Sequence, residues 1–203
     1  DFFKALPQSS NVYFYHIGEL LGWKNIKKYA DFFGFNSPSG LDFPGSVTGS
    51  IPDEGWLGDM YHVAIGQGDS EVTVLQMVLA TATLGNGGKL YQPQLVDKII
   101  DQDNNLIKDI LPHIQNSGFL SSRTLDLMQK AMQASQWQVP GLEVKIAGKT
   151  GTAQFNKTQN SYRSWFTSYT PDLAMTVLIE DGEGGAISAL PIAQEIYKWF
   201  YNN

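Results

Sequence analysis

Apolar residues set the first elements. Asn11-Val12-Tyr13-Phe14-Tyr15 leads into Ile17, Leu20 and Leu21, spaced as one face of a helix that ends near Gly22. A second helical stretch covers residues 25–33 and stops at Gly34. Residues 35–58 are rich in Gly, Pro and Ser without a sustained period, which predicts a long loop; such connections often border a functional site. Val74, Leu75, Val78, Leu79 and Ala82 recur at helical spacing after Thr73, and Gly85-Asn86-Gly87-Gly88 ends that helix. Residues 94–101 alternate as a strand, with Asp103-Asn104-Asn105 as its turn. Ser121 or Ser122 caps a helix through Leu125, Met128 and Met132 that ends before Pro140.

Beyond Leu142 the period shortens to two. Residues 142–149, 161–169 and 173–180 predict three strands, the last two joined by a tight turn at Thr170-Pro171-Asp172. Asp181-Gly182-Glu183-Gly184-Gly185 reads as a flexible link to an amphipathic helix over residues 187–201. The pattern gives an α/β chain of the α+β kind: a mainly helical part over about residues 1–140, then an antiparallel sheet with a closing helix over about 141–203. No internal repeat and no linker separates independent domains.

Composition narrows the function. The 203 residues carry a formal charge of −6 with a pI near 4.9, which argues against nucleic acid as a partner. With no cysteine, disulfides and thiolate metal sites are excluded. No apolar run reaches the roughly 18 residues of a membrane span, and Asp1-Phe2-Phe3-Lys4 does not open a signal peptide. His16, His62 and His113 lack the spacing of a metal site, and Asp59, Asp69 and Glu71 read as solvated loop charges. Gly182, Gly184 and Gly185 do not follow the spacing of a nucleotide loop.

Two segments carry chemistry. In Lys149-Thr150-Gly151-Thr152 a lysine at a strand edge offers a fixed positive charge and the hydroxyls beside it offer hydrogen bonds to an anion. Gly151 lets a ligand lie against the backbone as an added strand would, and the following amide can face a developing oxyanion. The plain alternative is an exposed strand end. In Ser9-Ser10-Asn11 the Ser9 hydroxyl can relay a proton and the Asn11 amide can both donate and accept. Its plain alternative is helix capping. Trp165 and Phe166 fit a sheet core, with a ring beside a substrate groove as the other option.

The pair gains meaning from its order. A Ser-x-x-Lys, a Ser-Asp-Asn and a Lys-Thr-Gly make up the motif set of penicillin-binding proteins and class A β-lactamases. The last two match here, with Ser10 in place of the Asp. Ser9-Ser10-Asn11-Val12-Tyr13-Phe14, Gly40-Leu41-Asp42-Phe43-Pro44-Gly45, Gly66-Gln67-Gly68, Thr73-Val74-Leu75-Gln76-Met77 and Ala147-Gly148-Lys149-Thr150-Gly151-Thr152-Ala153-Gln154 together resemble the class B penicillin-binding proteins, nearest their penicillin-binding protein 2 elongation type. The likeness runs from Gln8 to the final helix. It departs at Val74, where the family often has Pro, and at Ser164-Trp165-Phe166-Thr167-Ser168, where the family has Ala-Trp-Phe-x-Gly. No serine of the chain is followed by lysine three residues later.

The resemblance implies a penicillin-recognising serine transpeptidase fold, an antiparallel sheet flanked by helices with an all-helical subdomain, of which this chain is the C-terminal part. It implies a peptidoglycan D,D-transpeptidase that is the target of β-lactam antibiotics. The nucleophile would lie upstream of Asp1, so the chain alone is expected to be inactive. Lys149 would hold the substrate carboxylate with Thr150 and Thr152, Gly151 would admit the ligand, and the Thr152 N–H would form half of an oxyanion hole. Ser9 would move a proton to the leaving amine, and Asn11 would bind the acyl-side amide. No metal or organic cofactor is implied. The implied partners are peptidoglycan stem peptides, β-lactams, the N-terminal part of the same domain and the cell-elongation machinery. The implied location is extracytoplasmic, with an anchor outside this chain. A β-lactamase, a β-lactam sensor and a non-catalytic scaffold of the same fold are the alternatives.

Overall fold

The computed structural model describes the chain except positions 42, 45, 135–136 and 157–160, so Asp42 and Gly45 of the 40–45 segment lie outside the described residues. Asp1 caps a short helix, α1 (Phe2–Ala5), its Oδ1 accepting from the Lys4 N–H at 3.0 Å. Helix α2 (Asn11–Phe32) breaks at Gly22, whose φ of 67° and ψ of 165° fit no helix. Its two limbs are the two helical stretches the pattern predicts. Helix α3 (Leu57–Ala64) starts at the end of the stretch read as loop, where eight residues are too few to show a period. Asp59 supplies its start signal: Oδ2 accepts from the Trp56 N–H at 2.8 Å. That corrects its reading as a loop charge. Gly18 lets α3 approach α2, since a Cβ there would lie 2.6 Å from the Ala64 Cβ.

The long loop between α2 and α3 takes several of its bonds from one side chain of the next helix, α4 (Val74–Gly85). Gln76 is 2% exposed, and its Nε2 donates to the carbonyls of Gly34, Phe35 and Ser37 at 3.1, 2.8 and 3.1 Å. Its Oε1 accepts from the amides of Gly49 and Thr73 at 3.1 and 3.0 Å. Thr73 returns the bond to the Gln76 N–H, completing a capping box that starts the helix where the pattern places it.

Four short strands follow: β1 (Lys89–Tyr91), β2 (Lys98–Ile100), β3 (Leu106–Asp109) and β4 (Ile114–Ser117). They form two antiparallel pairs, β1 with β4 and β2 with β3. Only β2 falls in the predicted 94–101 strand; the others, three or four residues each, are too short to write an alternation into the sequence. Helix α5 (Ser122–Gln133) starts at Ser121, whose Oγ accepts from the Thr124 N–H at 3.1 Å.

The main sheet is antiparallel in the order β5 (Ala147–Asn156), β6 (Ser161–Tyr169), β7 (Ala174–Gly182). β5 begins five residues later than predicted. The apolar positions at Leu142 and Ile146 record packing into the core, not strand pairing. Lys149 is therefore the third residue of a ten-residue strand rather than a strand end. Helix α6 (Leu190–Asn202), entered through a π-helical turn at Gly185–Ala189, covers one face of the sheet. There Phe166, Met175, Ala193 and Tyr197 form the core, and the buried Ser168 and Tyr197 hydroxyls meet at 2.9 Å. α4 lies against the other face, where the Thr167 hydroxyl meets Thr81 at 2.5 Å and Thr176 at 2.8 Å.

The glycine run before α6 is packed, not flexible. β7 continues to Gly182, the Gly184 N–H donates to Ser164 Oγ at 2.8 Å, and the Gly185 N–H donates to Thr152 Oγ1 at 3.1 Å. A Cβ on Gly185 would collide with the Trp165 carbonyl, so glycine is the residue that fits this approach.

Candidate active site

β5 is an outer strand, paired among the described residues with β6 alone, and Lys149 lies opposite Thr167. In an antiparallel strand the N–H and C=O of one residue point to the same side, and successive residues alternate. The Thr152 carbonyl accepts from Gln67 Nε2 at 3.0 Å, a group outside the sheet. The Thr152 C=O therefore faces outward, and its N–H does too. Thr150, two residues earlier, shares that direction, and its carbonyl accepts from Lys149 Nζ at 2.7 Å.

The second bond of Lys149 crosses the molecule. Nζ donates to Ser9 Oγ at 2.5 Å, joining residues 140 positions apart. Ser9 sits in the turn between α1 and α2 with φ of 50°, a left-handed conformation that costs a non-glycine residue about 1 kcal/mol or more. The helix-capping alternative does not hold for this turn: Ser10 is the N-cap residue but makes no side-chain capping bond. Asn11 opens α2 and is exposed. The ammonium of Lys149 is partly buried, and that desolvation lowers its pKa from the ordinary lysine value.

Side chains alternate across β5. Lys149 shares the α4 face of the sheet with Thr167 and Trp165, whereas Thr150 and Thr152 lie with Phe166 and Ser164 on the α6 face. An anion reached from both faces must lie off the outer edge, beside the outward N–H groups. A cleft of about 820 Å³ runs from that edge across the α4 face of the sheet, lined by Lys149 to Ala153, Trp165 and Leu178 with Gly66 and Gln67, and extending toward Phe33 and Met77; Ser9 and Asn11 are not among its lining residues. Trp165 thus borders the cleft and Phe166, 1% exposed, is core. Ser164 and Ser168, where the family pattern has Ala and Gly, face away from the cleft toward Gly184 and Tyr197. Sequence reasoning gives Gln67 no role. Its position between Gly66 and Gly68, both at positive φ, is the signal that could have singled it out.

The fold and cleft define a class: an antiparallel sheet packed between helices, with a Lys-Thr-Gly-Thr outer strand facing a Ser-x-Asn turn. The chain belongs to the penicillin binding protein transpeptidase domain family, whose model matches residues 1–198, and within it to the class B proteins. It is 28% identical over 236 residues to the peptidoglycan D,D-transpeptidase MrdA of Haemophilus influenzae, covering 100% of this chain and 36% of that protein. It is 31% identical over 204 residues to the peptidoglycan D,D-transpeptidase PbpA of Mycolicibacterium smegmatis, covering 92% of this chain and 41% of that protein. The chain thus spans well under half the length of these curated relatives. Among solved structures, the D,D-transpeptidase domain of a peptidoglycan glycosyltransferase from Eggerthella lenta matches with a TM-score of 0.79 at 26% identity, covering 97% of this chain and 52% of that one. Penicillin-binding protein A of M. tuberculosis, in a ceftriaxone acyl-enzyme complex, matches with a TM-score of 0.83 at 24% identity, over 97% of this chain and 47% of that one, a likeness of fold.

Proposed function

We propose that this chain forms the recognition side of a peptidoglycan D,D-transpeptidase site, completed by a Ser-x-x-Lys segment elsewhere in the protein. The observation that carries this is the Lys149–Ser9 contact beside the outward edge of β5, in a member of this family. The serine attacks the penultimate D-Ala carbonyl of a stem peptide, the C–N bond breaks, and the terminal D-Ala leaves with a proton. Ser9 relays that proton, with the Lys149 ammonium polarising its hydroxyl. The Thr152 N–H supports the oxyanion, with the serine's own N–H as the second donor. Lys149, Thr150 and Thr152 hold the terminal carboxylate off the strand edge, Gly151 leaves room for it, and Asn11 receives the acyl-side amide. An amine of a second stem peptide then attacks the ester, forming the cross-link and freeing the serine. β-Lactams acylate the same serine; penicillin-binding protein A of M. tuberculosis is solved as ceftriaxone and imipenem acyl-enzyme complexes.

The elongation subtype, an extracytoplasmic location and contact with elongation partners belong to the same proposal; a penicillin-binding protein 2 of Helicobacter pylori is solved in complex with MreC. Fluorescent penicillin tests it. The intact protein should label on the serine of a Ser-x-x-Lys segment, and this chain alone should not label. Labelling on a residue of this chain, or no labelling of the intact protein, overturns it. Rapid hydrolysis of the acyl-enzyme would mark a β-lactamase instead.

A further inference from the structure

We infer that Gln67 is a positioning residue that holds the outward edge of β5 in register for acyl transfer. The inference rests on the transpeptidase reading and adds to it a residue outside the three motifs. Gln67 reaches the strand from a fixed base. It is the third residue past the end of α3, where its N–H donates to the His62 carbonyl at 2.9 Å while the Gly66 N–H donates to the Val63 carbonyl at 3.0 Å. This pair of bonds, with Gly66 at φ of 72°, is a Schellman cap, and it sets the direction in which the next side chain leaves the helix. α3 in turn is locked to α2 through the Gly18–Ala64 approach.

The helical side of the cleft therefore grips β5 at two points, Ser9 on Lys149 and Gln67 on Thr152. The first grip involves groups assigned to the chemistry. The second touches a carbonyl whose partner N–H, on the same residue and the same side, is the proposed oxyanion donor. A peptide lying on this edge as an added strand would place its carbonyl on the Thr152 N–H and its own N–H on the Thr152 C=O. That carbonyl has two lone pairs, so Gln67 can hold one while the substrate takes the other. Without Gln67 the strand edge loses its tether, and the N–H loses its aim at the reacting oxygen.

The test is acylation of the intact protein by a β-lactam, with Gln67→Leu, which removes the donor, and Gln67→Glu, which sets a carboxylate against the carbonyl. Gln67→Leu should slow the acylation step about threefold to tenfold, the rate equivalent of one neutral hydrogen bond, and Gln67→Glu should slow it more. For Gln67→Leu, non-covalent affinity and melting temperature should hardly change. The ester carbonyl stretch of the acyl-enzyme should move to higher frequency, because a loosened oxyanion donor polarises it less. A second variant, Gly66→Ala, keeps the amide but strains the cap, and should shift the same stretch in the same direction. Wild-type acylation rates and an unmoved stretch in all three variants overturn the inference alone. An intact wild-type protein that penicillin fails to acylate overturns the transpeptidase reading and the inference with it.

Discussion

Replacing Gln76 by leucine keeps nearly the same volume inside the fold and deletes five hydrogen bonds. Two N–H groups serve three carbonyls, so one bond is shared and the loss is equivalent to about four full bonds. At about 1 kcal/mol net for each, the direct loss is about 4 kcal/mol. The partners are backbone groups of a loop and a helix start. Some can turn to water at the cost of loop order, and those that cannot add their own desolvation cost, so the expected destabilisation is about 3–5 kcal/mol. For a domain of this size that corresponds to a fall in melting temperature on the order of 10 °C. Urea unfolding of the intact protein followed by tryptophan fluorescence would read it as a lower midpoint with an unchanged slope. A loss below about 1 kcal/mol would refute the reasoning, because it would mean that the loop keeps its course without its central anchor.

Lys149→Ala in the intact protein should slow acylation about ten- to a hundredfold, as expected for a charge-assisted bond, with little change in melting temperature; the reverse pattern would make the residue structural. Because burial lowers its pKa, the alkaline fall in acylation should begin below the ordinary lysine range of about 10.4, and a profile flat up to that range counts against an active ammonium. Stability runs the other way: the cost of burying the ammonium is present below the folded pKa and fades as pH rises from there toward the unfolded value, so the stability of the wild-type protein relative to Lys149→Met should rise over that pH range. Tyr197→Phe leaves the Ser168 hydroxyl buried without its partner and should cost about 1–2 kcal/mol, part of which returns when Ser168→Ala is added; additive single and double variants would show that the two hydroxyls are not coupled.

The sequence by itself determined the elements whose signals are local and the family that its motifs carry. Thr73, Ser121 and the break at Gly22 are legible because capping and helix breaking act within a few residues. β6 is legible because alternate positions face two different packed layers. Lys149 and Ser9 stand out as candidates because their residue types suit anion binding and proton relay. Whether they meet is a matter of chain path, and only the tertiary structure brings them to 2.5 Å. It also moved the start of β5, since burial of Leu142 and Ile146 mimics strand alternation until a pairing partner is known. It turned a glycine run from a loose link into a packed corner, because glycine serves flexibility and close approach equally well and only the neighbours decide which. Gln67 and Gln76 acquire their roles in the same way, whereas the Asp59 bond to the Trp56 N–H is a local capping signal that the sequence already holds. A lone polar side chain carries no period, and what these two bond depends on backbone groups up to 85 positions away that folding alone delivers.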